Sequence, residues 1–313
     1  MANPTRTLHL GSRGSALARW QAEEVQRRLL TLGTASTTEW IKTSGDQPQN
    51  GRLAQFGGKG LFTKEIEEAL LAQRVDIAVH SLKDVPSDRP PGLVLGAVLE
   101  REDARDALVA APGATIATLP ARARVGTCSL RRQAQLLALR PDLQCLPLRG
   151  NVDTRLKRWR AGEFDGILLA SAGLRRLGLE AAIAEHLDFA RFCPAGGQGA
   201  LAIECRAGDA DVLAAIAPLN HPATGIAVAA ERALLRRLQC DCNTPVGAHA
   251  TWQGHALRLQ AVVATPDGSR ILRCATEETV STQDQAEALG QTAAENLLSR
   301  GAREILLACE AVR

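Results

Sequence analysis

Apolar positions along the chain switch repeatedly between strand-like and helix-like periods. Leu8, His9 and Leu10 read as a short strand, and Gly11 to Ser15 as a loop. Leu17, Trp20, Val25 and Leu29 then fall at near-helical spacing, so the first element is a strand, loop, helix unit. Thr37 to Thr43 predicts a strand, residues 45–60 a glycine-rich polar loop, and Leu61 to Gln73 a helix. Val75 to His80 is an unbroken strand of the buried type. It runs directly into Ser81-Leu82-Lys83-Asp84-Val85-Pro86.

A second series begins near Asp106. A strand ends at Val125, Gly126 to Ser129 forms a loop, and Leu130 to Leu139 is helical with Ser129 placed as its N-cap. This echoes the first unit: Gly11 to Ser15 leads to Arg19-Trp20-Gln21-Ala22, and Gly126 to Ser129 leads to Arg131-Arg132-Gln133-Ala134. A strand over Cys145 to Leu148, a helix over Val152 to Arg160 and a strand over Gly166 to Ala170 follow. Two similar alternating halves predict two α/β lobes with mostly parallel sheets, and a ligand at the carboxyl ends of the strands. After Asn220 the pattern changes to a long helix (Thr224 to Leu238), a loop with Cys240 and Cys242, strand-like runs near Ala248, Leu257 and Arg270, and a helix from Asp284 to Ser299. That predicts a separate, smaller α+β domain.

Composition narrows the function. At 313 residues, 45% hydrophobic and 23% charged, the chain has globular proportions and room for two or three domains. No apolar run nears the roughly 18 residues of a membrane span. The N-terminal residues lack the apolar core of a secretory signal, so a soluble cytoplasmic protein is expected. Net charge is only +3 and aromatic content 3% with no tyrosine, which argues against a nucleic-acid binder. The eight cysteines are scattered without a Cys-x-x-Cys, so reduced thiols are expected.

Positive charge is nearly all arginine, and lysine is confined to Lys42, Lys59, Lys64, Lys83 and Lys157. Arg13, Arg131, Arg132, Arg149, Arg155 and Arg176 gather where strands pass into loops, with Lys83 beside them. Guanidinium forks and the helix N-termini after Ser15 and Ser129 suit a small molecule bearing several carboxylates or phosphates. Asp84, after a buried strand and next to Lys83, could balance a developing cation and shuttle a proton, or could merely cap its loop. Gly57-Gly58-Lys59-Gly60 fails the P-loop pattern, since Leu53 stands at the earlier glycine and Gly60 where Ser or Thr is needed. A glycine-rich segment that brings Lys59 over a cleft fits better, beside the plainer reading of a surface loop. Cys240-Asp241-Cys242, even with His249 and His255, matches no common zinc spacing, so no metal is expected; a modified thiol and an inert one both remain open.

Taken in order, SRGSALARWQA, GGKGLFTKEIE, DIAVHSLKDVP, EREDARDALV, VGTCSLRRQAQL, LRGNVDTRL, LASAGLRRLGL, PAGGQGALAIECR and the loop before TPVG resemble the porphobilinogen deaminase (hydroxymethylbilane synthase) family over nearly the whole chain. The resemblance implies two lobes like type II periplasmic binding proteins (1–99 with 200–217, and 100–199) plus a C-terminal α+β domain (218–313) carrying the cofactor cysteine. It implies a monomeric enzyme that joins four molecules of the small substrate porphobilinogen into hydroxymethylbilane, with loss of ammonia, for porphyrin and haem synthesis. The primer would be a dipyrromethane held by a thioether to Cys242.

In this likeness Asp84 is catalytic, stabilising each pyrrole-derived cation. Ser81, Lys83, Thr127, Ser129, Arg131 and Arg132 would contact the cofactor. Arg13, Ser15, Lys59, Arg149, Arg155, Arg176 and Gln198 would contact substrate, with Lys59 on a flexible lid. Four positions depart from the family pattern: Cys240 and Asp241 replace small residues before the tether, Gln55 stands at a lid position that is often basic, and Asp153 occupies a site usually small. The leading non-enzyme reading, a two-lobed anion-binding module, leaves the Asp84 and Cys242 motifs without a purpose.

Overall fold

The computed structural model describes residues 7–46, 60–240 and 244–311. By compactness the chain divides into two units, residues 1–102 with 200–225, and residues 103–199 with 226–313. The first unit opens with β1 (Leu8–Arg13), α1 (Ala16–Thr31), β2 (Ser36–Ile41), α2 (Lys64–Leu71), β3 (Ile77–Ser81) and β4 (Leu93–Val98). The chain then builds β5 (Asp106–Ala110), β6 (Arg124–Gly126), α3 (Leu130–Leu139), β7 (Gln144–Leu146), α4 (Val152–Arg160), β8 (Gly166–Ala170), α5 (Ser171–Arg176) and β9 (Ile183–His186) in the second unit. It returns to the first for β10 (Leu201–Arg206) and α6 (Ala210–Ile216). The C-terminal part holds α7 (Pro222–Arg237), β11 (Val246–Gln253), β12 (Ala256–Ala264), β13 (Ile271–Thr279), α8 (Gln283–Ser299) and α9 (Ala302–Ala311).

The repeat seen in the sequence is a repeat of topology. One sheet runs β2-β1-β3-β10-β4 and the other β7-β6-β8-β5-β9. In the first, β1 pairs parallel with β2 and β3, while β10 lies antiparallel between β3 and β4. In the second, β6 pairs parallel with β7 and β8, and β5 lies antiparallel between β8 and β9. β1 thus corresponds to β6, and α1 to α3. The antiparallel strand of each lobe comes from the stretch where the chain passes between units.

Burial on both faces explains why these strands read as continuous apolar runs. Ile77 and Val79 of β3 join a core with Ala22, Val25 and Leu29 of α1 and Ile216 of α6. Ala78 turns the other way, onto Ile66, Ala69 and Leu70 of α2. In the second lobe Leu108 and Val125 pack with Leu136 of α3, while Val109 and Ile167 pack with Leu156 of α4. The C-terminal part is an antiparallel sheet of β11, β12 and β13. One face, through Leu257, Leu259, Ala261 and Val263, packs on residues of α7, α8 and α9. The mixed α/β class, with two lobes of one plan and a smaller sheet-plus-helix domain, is therefore as expected.

Local differences have local causes. The helix expected from Leu61 begins at Lys64, because the Gly60 carbonyl, at φ +77, accepts from both Thr63 and Lys64 in a turn. Asp153 lies in the first turn of α4, where the helix dipole favours a negative side chain. None of the seven described cysteines is in a disulfide. Among the described residues no single helix is long and apolar enough to cross a membrane.

Candidate active site

Within the first unit the expected residues sit at the ends of β1 and β3. Arg13 is the last residue of β1, and Ser15 caps α1, its hydroxyl accepting from the Ala18 N–H at 3.3 Å. The Arg13 guanidinium lies 4.2 Å from the Phe62 ring centroid and donates to Asp46, with Nη2 to Oδ1 at 2.5 Å. Burial pushes the Asp46 carboxyl up, but Arg13 and Thr43 outweigh it and hold it below the usual range. Arg13 is thus already paired, and any ligand carboxylate shares it with Asp46.

Ser81 ends β3 and hydrogen-bonds Gln21 of α1 at 2.8 Å. Lys83 and Asp84 follow in a short 3-10 turn, both half-buried. Backbone bonds hold that turn, Leu82 N–H to the Ala200 carbonyl at 3.0 Å and Val85 N–H to the Leu82 carbonyl at 3.1 Å. The Asp84 carboxylate is therefore not needed to close it. Upstream, His80 Nε2 and Glu204 Oε2 lie 3.1 Å apart, both buried, which ties β3 to β10 just before the turn.

In the second unit the loop after β6 places Thr127 and Ser129 at the start of α3. The Ser129 hydroxyl accepts from the Arg132 N–H at 3.4 Å, and the Thr127 hydroxyl accepts from the Ser129 N–H at 3.1 Å. Arg131 and Arg132 are not surface residues: both are buried on the carboxylate of Asp106, the first residue of β5. Arg131 Nη1 donates to Asp106 Oδ2 at 2.6 Å and to the Cys193 carbonyl at 2.7 Å. Arg132 Nε and Nη2 donate to Oδ1 at 2.9 and 2.7 Å, and Nη1 to the Leu168 carbonyl at 2.9 Å. Full burial pushes the Asp106 carboxyl up, yet the two guanidiniums overcome it and keep it ionised far below the usual range.

The remaining residues divide by exposure. Arg149 is exposed at the end of the stretch after β7. Arg155, half-buried on α4, donates from Nε to the Gly150 carbonyl at 2.6 Å. Arg176, the last residue of α5, donates to the Gly199 carbonyl at 2.6 Å. Gln198 is buried, and its amide nitrogen donates to the Ala104 carbonyl at 2.8 Å and Asp106 Oδ1 at 2.9 Å. Cys240 is half-buried against the C-terminal core, its Sγ 3.7 Å from the Leu238 carbonyl. Lys59, Gln55, Asp241 and Cys242 lie outside the described residues.

Sequence reasoning missed Asp46 and Asp106, the two carboxylates that hold the expected arginines. Asp46 stands in the motif-free end of a polar loop. Asp106 could have been noticed as a lone acid opening an apolar run, Asp106-Ala107-Leu108-Val109-Ala110. The donor set suits a polycarboxylate such as a dipyrromethane. Two guanidiniums share the single Asp106 carboxylate, so that buried trio keeps a net positive charge, beside two hydroxyls and the N-terminus of α3.

Comparison with known proteins agrees with the motifs. Residues 8–214 match the family model described as porphobilinogen deaminase, dipyromethane cofactor binding domain, and residues 226–299 match porphobilinogen deaminase, C-terminal domain. A porphobilinogen deaminase of Pelobacter propionicus is 51% identical over 307 residues, covering 97% of each chain. One from Chromobacterium violaceum is 50% identical over 301 residues, covering 96% of each. With both halves matched in order and about half of all positions identical over nearly the full length, this chain belongs to the porphobilinogen deaminase family of hydroxymethylbilane synthases, enzymes with a dipyrromethane cofactor.

Proposed function

We propose that the chain deaminates four porphobilinogen molecules and joins them head to tail into hydroxymethylbilane, working as a cytoplasmic monomer on a dipyrromethane tethered through a thioether to Cys242. When bound, the dipyrromethane supplies the pyrrole end on which the product grows. The chain's own residues have three tasks: to hold acetate and propionate side chains, to stabilise positive charge, and to move protons.

Asp84 takes the second and third tasks. Porphobilinogen loses ammonia as a cationic methylene-pyrrolenine forms, and a carboxylate in a rigid, half-buried turn stabilises that charge without reorganising. The same carboxylate accepts the proton that must leave the attacked ring. The observation that supports this reading is the backbone closure of the Lys83–Asp84 turn, Leu82 onto Ala200 and Val85 onto Leu82, which holds the turn without a bond from the Asp84 carboxylate. Lys83, Ser81, Thr127, Ser129, Arg131 and Arg132 serve the cofactor's carboxylates, and Arg13, Ser15, Lys59, Arg149, Arg155 and Arg176 those of the substrate. The three-domain division expected from the sequence places the tether in a domain of its own.

Intact mass of the denatured protein tests the tether. Wild type carries the added mass of one dipyrromethane, and Cys242→Ser lacks it. An adduct that persists in Cys242→Ser and vanishes in Cys240→Ser assigns the tether to the other thiol, and unmodified mass in active wild type overturns it altogether.

A further inference from the structure

Asp106 has no role in the family likeness, and Gln198 entered only as a possible substrate contact. Both are buried, at 0% and 1% exposure, and they touch each other. The Asp106 carboxylate is divided between neighbours: Oδ2 receives Arg131, and Oδ1 receives two nitrogens of Arg132 and the amide of Gln198. Arg132 is bonded through all three of its guanidinium nitrogens. The described side-chain bonds of Arg131 leave from Nη1 alone, and Nε with Nη2 forms the other donor fork of the guanidinium.

The frame extends into the C-terminal part of the same unit. Glu231 of α7, fully buried, accepts from the Gly197 N–H at 2.6 Å through Oε2 and from the Ala250 N–H of β11 at 2.7 Å through Oε1. Gly197 is the neighbour of Gln198. The arginine pair is thereby joined, through Asp106, Gln198 and the Gly197 backbone, to the helix and sheet that flank the loop of Cys240.

We propose that Asp106 is a positioning residue, holding Arg131 and Arg132 side by side so that Arg131 meets a cofactor carboxylate through its remaining fork, and that Gln198 acts through Asp106 and not on substrate. This rests on the reading above that the arginine pair serves the dipyrromethane. Two guanidiniums on successive residues repel each other, and a shared carboxylate is what keeps both in one buried place. Asn at 106 preserves shape but removes that charge.

The test compares Asp106→Asn and Arg131→Ala with wild type, reading three quantities: the fraction of chains carrying dipyrromethane by intact mass, KM and kcat for porphobilinogen, and the thermal midpoint. Asp106→Asn is expected to lower the loaded fraction, or raise KM in the loaded chains, by roughly tenfold or more, with kcat of the loaded chains changed much less. A lower thermal midpoint with loading and KM unchanged means that Asp106 is only structural, and overturns the proposal. Full loading and normal KM in Arg131→Ala instead overturn the reading of the arginines themselves. Should Asp106→Asn fail to fold, Gln198→Met gives the answer: the proposal expects a smaller shift in the same direction that disappears in an Arg131→Ala background. A shift that persists undiminished there makes Gln198 a direct contact and overturns its assignment.

Discussion

Gly268, in the turn between β12 and β13, lies against Ala138 near the end of α3: a methyl group on Gly268 would stand 2.5 Å from the Ala138 amide nitrogen and 2.6 Å from the Ala134 carbonyl oxygen. Its φ of +73 is also one that side chains rarely adopt. Next to it, Gln133 of α3 donates to the Pro266 carbonyl at 3.2 Å. The hairpin turn of the C-terminal sheet therefore backs the helix that carries Arg131 and Arg132.

Gly268→Ala must distort either the turn or the helix, because the atoms in the way are backbone. A loss of about 2–4 kcal/mol is expected, well above an ordinary surface substitution. Denaturant unfolding measures it, and a loss within about 0.5 kcal/mol of zero would show that the turn moves away freely.

Asp84→Asn keeps the size of the side chain and the backbone bonds of its turn while removing the charge. Turnover should fall roughly 10²–10⁴-fold, with the dipyrromethane still present by intact mass. Near-normal turnover would refute the assignment of Asp84 as the catalytic carboxylate.

The two ends of the 43–67 region respond to pH with opposite sign. Burial, reinforced by the Glu204 charge, raises the Glu67 carboxyl above its ordinary 4.5. Its favourable contribution is complete below that value and is lost as pH rises through the raised one. Asp46 is held below its ordinary 3.8, so its contribution is present above 3.8 and is lost as pH falls through the lowered value. Thermal midpoints should therefore rise for Glu67→Gln at pH 7 but not at pH 4, and fall for Asp46→Asn at pH 7 with the deficit closing in strong acid. The same sign for both variants at pH 7 would contradict the two burial environments.

Local pattern made much of the fold legible. The echo between residues 11–22 and 126–134 marks the same strand, capped loop and helix at corresponding places in two sheets of one plan. Ser15 and Ser129 are caps because their hydroxyls reach N–H groups three residues on, a relation short enough to read from sequence. The rest depends on distant partners. Leu201–Arg206 was not singled out as a strand, although it pairs with both β3 and β4, because its place is set by partners more than a hundred residues away. Asp106 was invisible as an arginine anchor for the same reason, since nothing near it in sequence reveals which side chains will converge on it. The arginines themselves were legible only as a set. Their motifs announce an anion site, but only the fold distinguishes the buried, already paired Arg131 and Arg132 from the exposed Arg149.

The order of strands in the first sheet also dictates how the protein can be made. β10 lies between β3 and β4, yet it leaves the ribosome only after the whole of the second lobe. Until then the nascent chain exposes two unpaired strand edges, which β10 later fills together. An N-terminal fragment ending before Leu201 therefore lacks an interior strand, not an ornament, and a separately expressed first lobe needs residues 200–225 supplied to complete its sheet.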